Sequence, residues 1–86
     1  MKEDLILYGT NDCHRCTKLS EYLNERGISH SKISIDQDPE AKTDTLMYKI
    51  FSVPALKKGG MILQTKEIFD INETINEDSL NRFLSN

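Results

Sequence analysis

The chain has 86 residues, 37% of them hydrophobic and 7% aromatic, so it can bury one small core but not two. Its 11 basic and 14 acidic residues give a formal net charge of −3, which argues against a nucleic-acid-binding module and against an anionic membrane surface as the main partner. No stretch approaches the ~18 uninterrupted apolar residues of a membrane span, and the start of the chain does not resemble a secretory signal. We therefore expect one cytoplasmic, monomeric domain over residues 1–86.

The first predicted strand leads directly into the first predicted helix. Residues 5–8 form a continuous apolar run, which is typical of a strand buried on both faces, and turn-forming residues follow it. The apolar spacing becomes helical over residues 13–26. Asn11 or Asp12 is the expected N-cap of this helix, and Gly27 is its expected C-terminal cap.

A second strand and a second helix follow. Residues 28–35 alternate over Ile33 and Ile35, which predicts a strand. Asp38 is the expected cap of a helix that begins at Pro39. The spacing extends this helix to about residue 50, with an apolar face made of Leu46, Met47, Ile50 and Phe51.

The last third predicts a hairpin and a final helix. Residues 55–56 and 61–63 are apolar runs that flank Lys57-Lys58-Gly59-Gly60, the pattern of a β-hairpin. Asn76 is the expected cap of a helix that carries Leu80, Phe83 and Leu84, whereas residues 66–74 are not assigned. The order is βαβαββα: an α/β fold with a four-stranded mixed sheet and three helices, in which strands 1 and 2 are parallel.

Cys13-His14-Arg15-Cys16 lies where the buried strand turns into a helix. A thiol at a helix N-terminus faces free N–H groups and the positive end of the helix dipole, and both favour the thiolate, which is the nucleophile. We predict that Cys13 is the exposed attacking thiol, with a pKa in or near the range ~3.5 to ~7, and that Cys16 is the shielded resolving thiol. His14 either tunes this thiolate or is an exposed helix residue, and Arg15 either tunes it, contacts a substrate carboxylate or is a solvated charge.

The segment from Tyr8 to Cys16, followed by Val53-Pro54 and a glycine-containing hairpin, resembles the glutaredoxin branch of the thioredoxin superfamily. The resemblance covers nearly the whole chain in length and element order, and it implies the thioredoxin fold. It implies further that the peptide bond of Pro54 is cis and lies beside the nucleophilic thiol. Val53 is then the residue that offers its backbone to a bound peptide or to glutathione. Without the cysteine motif, Val53-Pro54 would be interpreted as a helix stop.

Three positions depart from the pattern of many glutaredoxins. Thr10 stands where a lysine helps to hold a glutathione carboxylate, His14-Arg15 stand where Pro-Tyr is usual, and residues 64–67 lack the usual Gly-Gly and acidic pair. These departures bear on glutathione binding rather than on thiol exchange. The extra positive charge between the cysteines predicts a reduction potential less negative than the ~−270 mV of thioredoxin.

The resemblance implies a thiol-disulfide oxidoreductase that reduces protein disulfides or glutathione mixed disulfides. No tightly bound cofactor is expected, and glutathione is a co-substrate candidate. A redoxin supplied by a thioredoxin-type reductase is the alternative within this class. A non-catalytic metal- or partner-binding module is the alternative outside it, although no metal site is predicted because a closed zinc site needs four ligands. The candidate catalytic residues are Cys13 and Cys16, and the candidate substrate-binding residues are Tyr8, Thr10, His14, Arg15, Val53 and Pro54. Tyr8 could equally be a core residue or form a wall of the thiol site.

Overall fold

A computed structural model describes residues 5–50 and 52–85, which form a four-stranded mixed sheet with four helices. The elements in chain order are β1 (Leu5–Gly9), α1 (His14–Glu25), β2 (Ser31–Ser34), α2 (Pro39–Met47), β3 (Ala55–Lys58), β4 (Met61–Leu63), α3 (Thr65–Ile68) and α4 (Glu77–Leu84). The strand order is β2-β1-β3-β4, in which β1 pairs with β2 in parallel and with β3 antiparallel. The predicted fold class and strand directions are confirmed, with one helix more than expected. No helix of the described residues is long and apolar enough to cross a membrane.

The sheet separates two groups of buried side chains, because successive residues of a strand point to opposite faces. Helices α1, α3 and α4 cover the larger group, which is built around Leu7 of β1 and Leu56 of β3. Helix α2 covers the smaller group, which is built around Tyr8 and Ala55. The cysteine motif therefore begins at the end of a central strand that is covered on both faces.

Helix α1 ends as its sequence predicts. Gly27 has a φ of 70°, a left-handed conformation that glycine adopts without steric cost. The N–H of Gly27 donates to the carbonyl of Asn24, and the N–H of Ile28 donates to the carbonyl of Leu23. These two bonds satisfy carbonyls that the helix end would otherwise leave unpaired, as in a Schellman motif.

The predicted apolar face of α2 is wrong. The helix ends at Met47, and the chain then turns through Lys49, whose φ is 55°. Leu46 and Met47 still belong to the helix, whose buried side carries Ala41 and Asp44, so the left-handed turn changes the spacing only for the residues after Met47. Leu46 is 82% exposed and Met47 is 68% exposed, whereas Ile50 is buried. Phe51 lies outside the described residues.

The hairpin is confirmed, although its first strand is longer than predicted. Lys57 and Lys58 belong to β3 and not to the turn, so that Gly59 and Gly60 alone connect the two strands. The expected cap of the last helix is also confirmed, since Asn76 accepts a hydrogen bond from the N–H of Ser79. The unassigned region contains the short helix α3 and a loop closed by a bridge between Phe69 and Ile75.

Candidate functional site

The two cysteines lie at the first turn of α1 and are joined in a disulfide, with 5.1 Å between their Cα atoms. Cys16 is 1% exposed and packs among the apolar residues of the larger core, whereas Cys13 is only partly buried. Within the oxidised pair, Cys13 therefore carries the sulfur that solvent can reach.

Cys13 is itself the N-cap of α1, which corrects the expectation that Asn11 or Asp12 would cap this helix. Its backbone is extended, with a φ of −87°, and its Sγ accepts a hydrogen bond from the N–H of Cys16 at 3.1 Å. The first N–H groups of a helix have no partner within the helix, and here the sulfur takes the place that a cap oxygen usually fills. A thiolate on Cys13 would receive this same bond. The predicted low pKa of Cys13 stays a prediction.

Gly9 is a site residue that sequence reasoning missed. A Cβ at this position would lie 2.8 Å from Sγ of Cys16 and 3.2 Å from its Cβ. Only a residue without a side chain lets the buried cysteine lie directly against the end of β1. The signal in the sequence is a glycine at the end of a buried strand, since a glycine in a strand often marks a point where another group approaches the backbone closely.

The peptide bond between Val53 and Pro54 is cis, as the resemblance implied. Pro54 is buried, and its carbonyl accepts a hydrogen bond from Oγ1 of Thr65 at 2.5 Å. Thr65 is the one buried polar residue among the described ones, and it begins α3. Through this bond Thr65, a residue without a predicted role, links α3 to the proline segment.

An open groove beside the cysteines, the thiol groove, has a volume of about 450 Å³ and brings most of the predicted site residues together. Of these residues, Cys13, Thr10, His14, Arg15 and Val53 line it, while Pro54 lies buried next to Val53. The groove is also lined by two acidic residues that the sequence analysis did not select, Asp12 and Glu73. Their negative charge opposes the effect of His14 and Arg15 on a thiolate in the same groove.

Tyr8 does not line this groove. It is fully buried in the smaller core, on the other face of the sheet from Cys16, and its hydroxyl donates to Oδ2 of Asp44 at 2.7 Å. Burial raises the pKa of Tyr8 far above its usual value, and the hydrogen bond to Asp44 raises it further. This position favours the core alternative for Tyr8.

The second histidine of the chain is held by structural contacts. Ring nitrogens of His30 lie 3.1 Å from Oγ of Ser20 and 3.1 Å from the carbonyl oxygen of Ile28. Over the described ranges, no group of three or more His, Cys, Asp or Glu side chains is arranged to hold a metal ion.

Comparison with known proteins supports the fold and the motif. The glutaredoxin family model matches residues 5–62, which include the cysteine motif, the cis-proline and both central strands. No curated protein matches the chain.

Three solved structures show the same fold. The thioredoxin-like protein BC3987, in a point-mutant form, has a TM-score of 0.76 at 18% identity and covers 98% of this chain and 97% of its own. A glutaredoxin from Archaeoglobus fulgidus has a TM-score of 0.68 at 22% identity, covering 98% and 88%. The glutaredoxin-like NrdH-redoxin from Escherichia coli, a protein with a thioredoxin-like activity profile, has a TM-score of 0.63 at 23% identity, covering 70% and 79%.

Proposed function

The chain belongs to the glutaredoxin family, and we propose that it is a dithiol thiol-disulfide oxidoreductase that reduces protein disulfides or glutathione mixed disulfides. One observation carries the proposal: the accessible sulfur of Cys13 lies at the start of a helix, in a groove that Val53 also lines. Among the described residues, no hydrogen bond occupies the backbone N–H or C=O of Val53. An extended substrate segment can therefore pair with Val53 while its disulfide faces Cys13.

The reaction transfers two electrons from the protein dithiol to the substrate. The Cys13 thiolate attacks one sulfur of the substrate disulfide and expels the other as a thiolate, forming a mixed disulfide. Cys16 then gives up its proton and attacks Sγ of Cys13, which releases the second substrate thiol and closes the Cys13–Cys16 disulfide. The proton of Cys16 and one proton from solvent end on the two substrate thiols. An external thiol or a reductase then restores the dithiol.

The surroundings of the two sulfurs support this division of roles. Cys13 is the partly exposed member and receives the N–H bond of Cys16, which favours its thiolate. Cys16 is shielded by Gly9 and the core, so an external disulfide does not reach it. It lies within reach of Cys13 alone.

We further propose that a thioredoxin-type reductase, rather than glutathione, is the favoured electron donor. Thr10 lines the groove where many glutaredoxins carry a lysine that helps to hold a glutathione carboxylate, so the positive charge is missing at that position. The segment after β4 forms helix α3 and carries no glycine pair. The likeness to NrdH-redoxin is a likeness of fold, and the choice of donor rests on these two features of the chain.

Mixed-disulfide trapping tests the chemistry. Cys16→Ser should accumulate a covalent adduct with a disulfide substrate, because the resolving step is lost. Cys13→Ser should form none, since it lacks the attacking sulfur. An adduct that forms equally on Cys13→Ser would contradict the proposed roles.

The donor is tested separately, by NADPH consumption with purified reductases. The wild-type protein should turn over with thioredoxin reductase and a disulfide substrate. It should turn over more slowly with glutathione and glutathione reductase. Faster turnover with glutathione would reverse the assignment of the donor and leave the dithiol chemistry intact.

A further inference from the structure

A second groove lies next to the thiol groove on the surface. It has a volume of about 480 Å³, and apart from Asp70 its lining residues are Arg15, Ser52, Thr65, Lys66, Phe69 and Ile71. Arg15 lines both grooves, so the two adjoin at this side chain. A chain segment that presents its disulfide to Cys13 and pairs with Val53 can extend past Arg15 into the second groove.

The second groove carries positive charge that is not neutralised by ion pairs. Arg15 and Lys66 both line it, and neither forms an ion pair with a residue in the part of the chain that the structure describes. The carboxylate of Asp70 also lines the groove and offsets one of these two charges, and its Oδ1 accepts the N–H groups of Asn72 at 2.8 Å and Thr74 at 3.0 Å. The chain as a whole has a net charge of −3, so the positive side chains of the second groove form a local site that can attract an acidic group.

The rim of the second groove presents an aliphatic side chain to solvent. Ile71 is 97% exposed, although it lies in a loop that is held by specific bonds. The carboxylate of Asp70 accepts two backbone N–H groups of this loop. In addition, Nζ of Lys18 in α1 donates to the carbonyl of Glu73 at 2.9 Å. Since Lys18 lies close behind the cysteine motif in α1, the helix that carries the motif also fixes the position of this rim.

We propose that the groove formed by Arg15, Lys66 and Ile71 binds the disulfide-bearing segment of a partner protein. That segment carries an acidic and an aliphatic side chain near its cysteine. The acidic side chain lies against Arg15 and Lys66, and the aliphatic one packs on Ile71. This inference rests on the proposed function, since it adds a specificity site to the same thiol exchange. Ile71 and Lys66 are specificity residues that select protein disulfides over small ones.

In each probe a cysteine thiol is joined to thionitrobenzoate in a mixed disulfide. Attack by Cys13 releases the coloured thionitrobenzoate, and its absorbance gives the rate. The first probe is a hexapeptide with a leucine and a glutamate beside its cysteine, made in both sequence orders. The second replaces the leucine by serine and the glutamate by lysine. The third is the glutathione–thionitrobenzoate disulfide. The measured quantity is the rate with each peptide divided by the rate with the glutathione probe, for the fully reduced protein.

For the wild-type protein, the ratio should favour the Leu/Glu peptide in at least one of its two orders. Ile71→Ser and Lys66→Glu should each lower that ratio about fivefold, because a partly buried aliphatic contact or one exposed charge pair contributes about that factor. Leu46→Ser is the matched control for Ile71, since Leu46 is also exposed but lies on α2. Lys42→Glu, likewise on α2, is the matched control for Lys66, and both controls should keep the wild-type ratio.

Three results would overturn the inference. The ratio could be unchanged in Ile71→Ser and Lys66→Glu, or the controls could lower it equally. Alternatively, the wild-type protein could react equally well with both peptides, which would mean that the groove does not select. Failure of the proposed function looks different, because then no probe reacts with the wild-type protein, or Cys13→Ser reacts as fast as the wild type.

Discussion

Replacing Gly9 by alanine tests how closely the buried cysteine packs against the sheet. The new Cβ would lie 2.8 Å from Sγ of Cys16, where ordinary contacts between such atoms are about 3.5–4.0 Å. The sulfur is held by the disulfide and is buried, so the cysteine and the end of β1 must move apart by several tenths of an ångström. Overpacking of this kind costs about 1–3 kcal/mol. In a domain of this size, about 2 kcal/mol lowers Tm by roughly 10 °C.

The same substitution should also change the redox equilibrium. In the reduced protein, Cys16 is free of the disulfide and can rotate its sulfur away from the new methyl group. The oxidised form is therefore destabilised more than the reduced form, which makes the disulfide more oxidising. If about 1 kcal/mol of the cost is specific to the oxidised form, the reduction potential rises by about 20 mV.

Urea unfolding of the oxidised and reduced proteins, together with a redox titration against glutathione, measures both effects. Gly60→Ala is the matched control, because nothing lies within 4 Å of a Cβ there and its φ is not in the left-handed region. That substitution should leave stability unchanged or raise it by up to about 1 kcal/mol. A Gly9→Ala protein as stable as the wild type in both redox states would refute the packing argument.

Three further predictions follow from other contacts. Alkylation of Cys13 against pH should have its midpoint well below the ordinary thiol value of ~8.5, and a midpoint at that value would refute the helix-terminus argument. Tyr8→Phe removes the hydrogen bond to Asp44 and should cost about 1 kcal/mol in urea unfolding at pH 7. The pKa of Tyr8 is raised in the folded state, so the contribution of Tyr8 to the free energy of unfolding is fully present below pH 10 and is lost as pH rises above that value. Above pH 10 the wild type should therefore lose stability faster than Tyr8→Phe. Parallel plots of unfolding free energy against pH for the two proteins would contradict this. Thr65→Val removes the bond to the Pro54 carbonyl and should lower both stability, by about 1–2 kcal/mol, and the rate of thiol exchange, whereas Thr65→Ser should retain most of both; equal losses in the two variants would argue against that bond.

The sequence predicted the parts of the fold that depend on local patterns. The run at the start of β1, the turn at Gly59-Gly60 and the caps at Asp38 and Asn76 are each encoded by a few neighbouring residues. The cysteine spacing pointed to the thiol pair, whereas the place of Pro54 in the site came from the resemblance to glutaredoxins. These features require no knowledge of distant contacts.

The errors arise where distant contacts decide the outcome. The buried side of α2 carries Ala41 and Asp44, whose carboxylate accepts the hydrogen bond of the Tyr8 hydroxyl, so it lacks the long aliphatic side chains by which such a face is recognised. Helix α3 has only four residues, too few for a periodic pattern, and it is stabilised in part by the side chain of Glu67, which accepts the N–H of Gln64 at 3.0 Å. The close approach of Cys16 to Gly9 is likewise invisible in sequence spacing.

The antiparallel register of β1 and β3 sets the position of the cysteine motif relative to Pro54, and the apolar pattern of the two strands determines that register. Tyr8 is the cross-strand partner of Ala55, so the segment that leads to Cys13 and the residue after Pro54 meet at the same end of the ladder. A slip of one residue would move Leu56 from the larger core to the face of the smaller one, and the apolar pattern therefore protects the alignment of thiol and proline. The turn at Gly59 lies at the opposite end of β3. That turn is therefore the natural attachment point for a fluorophore or a fused domain, since a lengthened connection there leaves the register, and with it the thiol groove, unchanged.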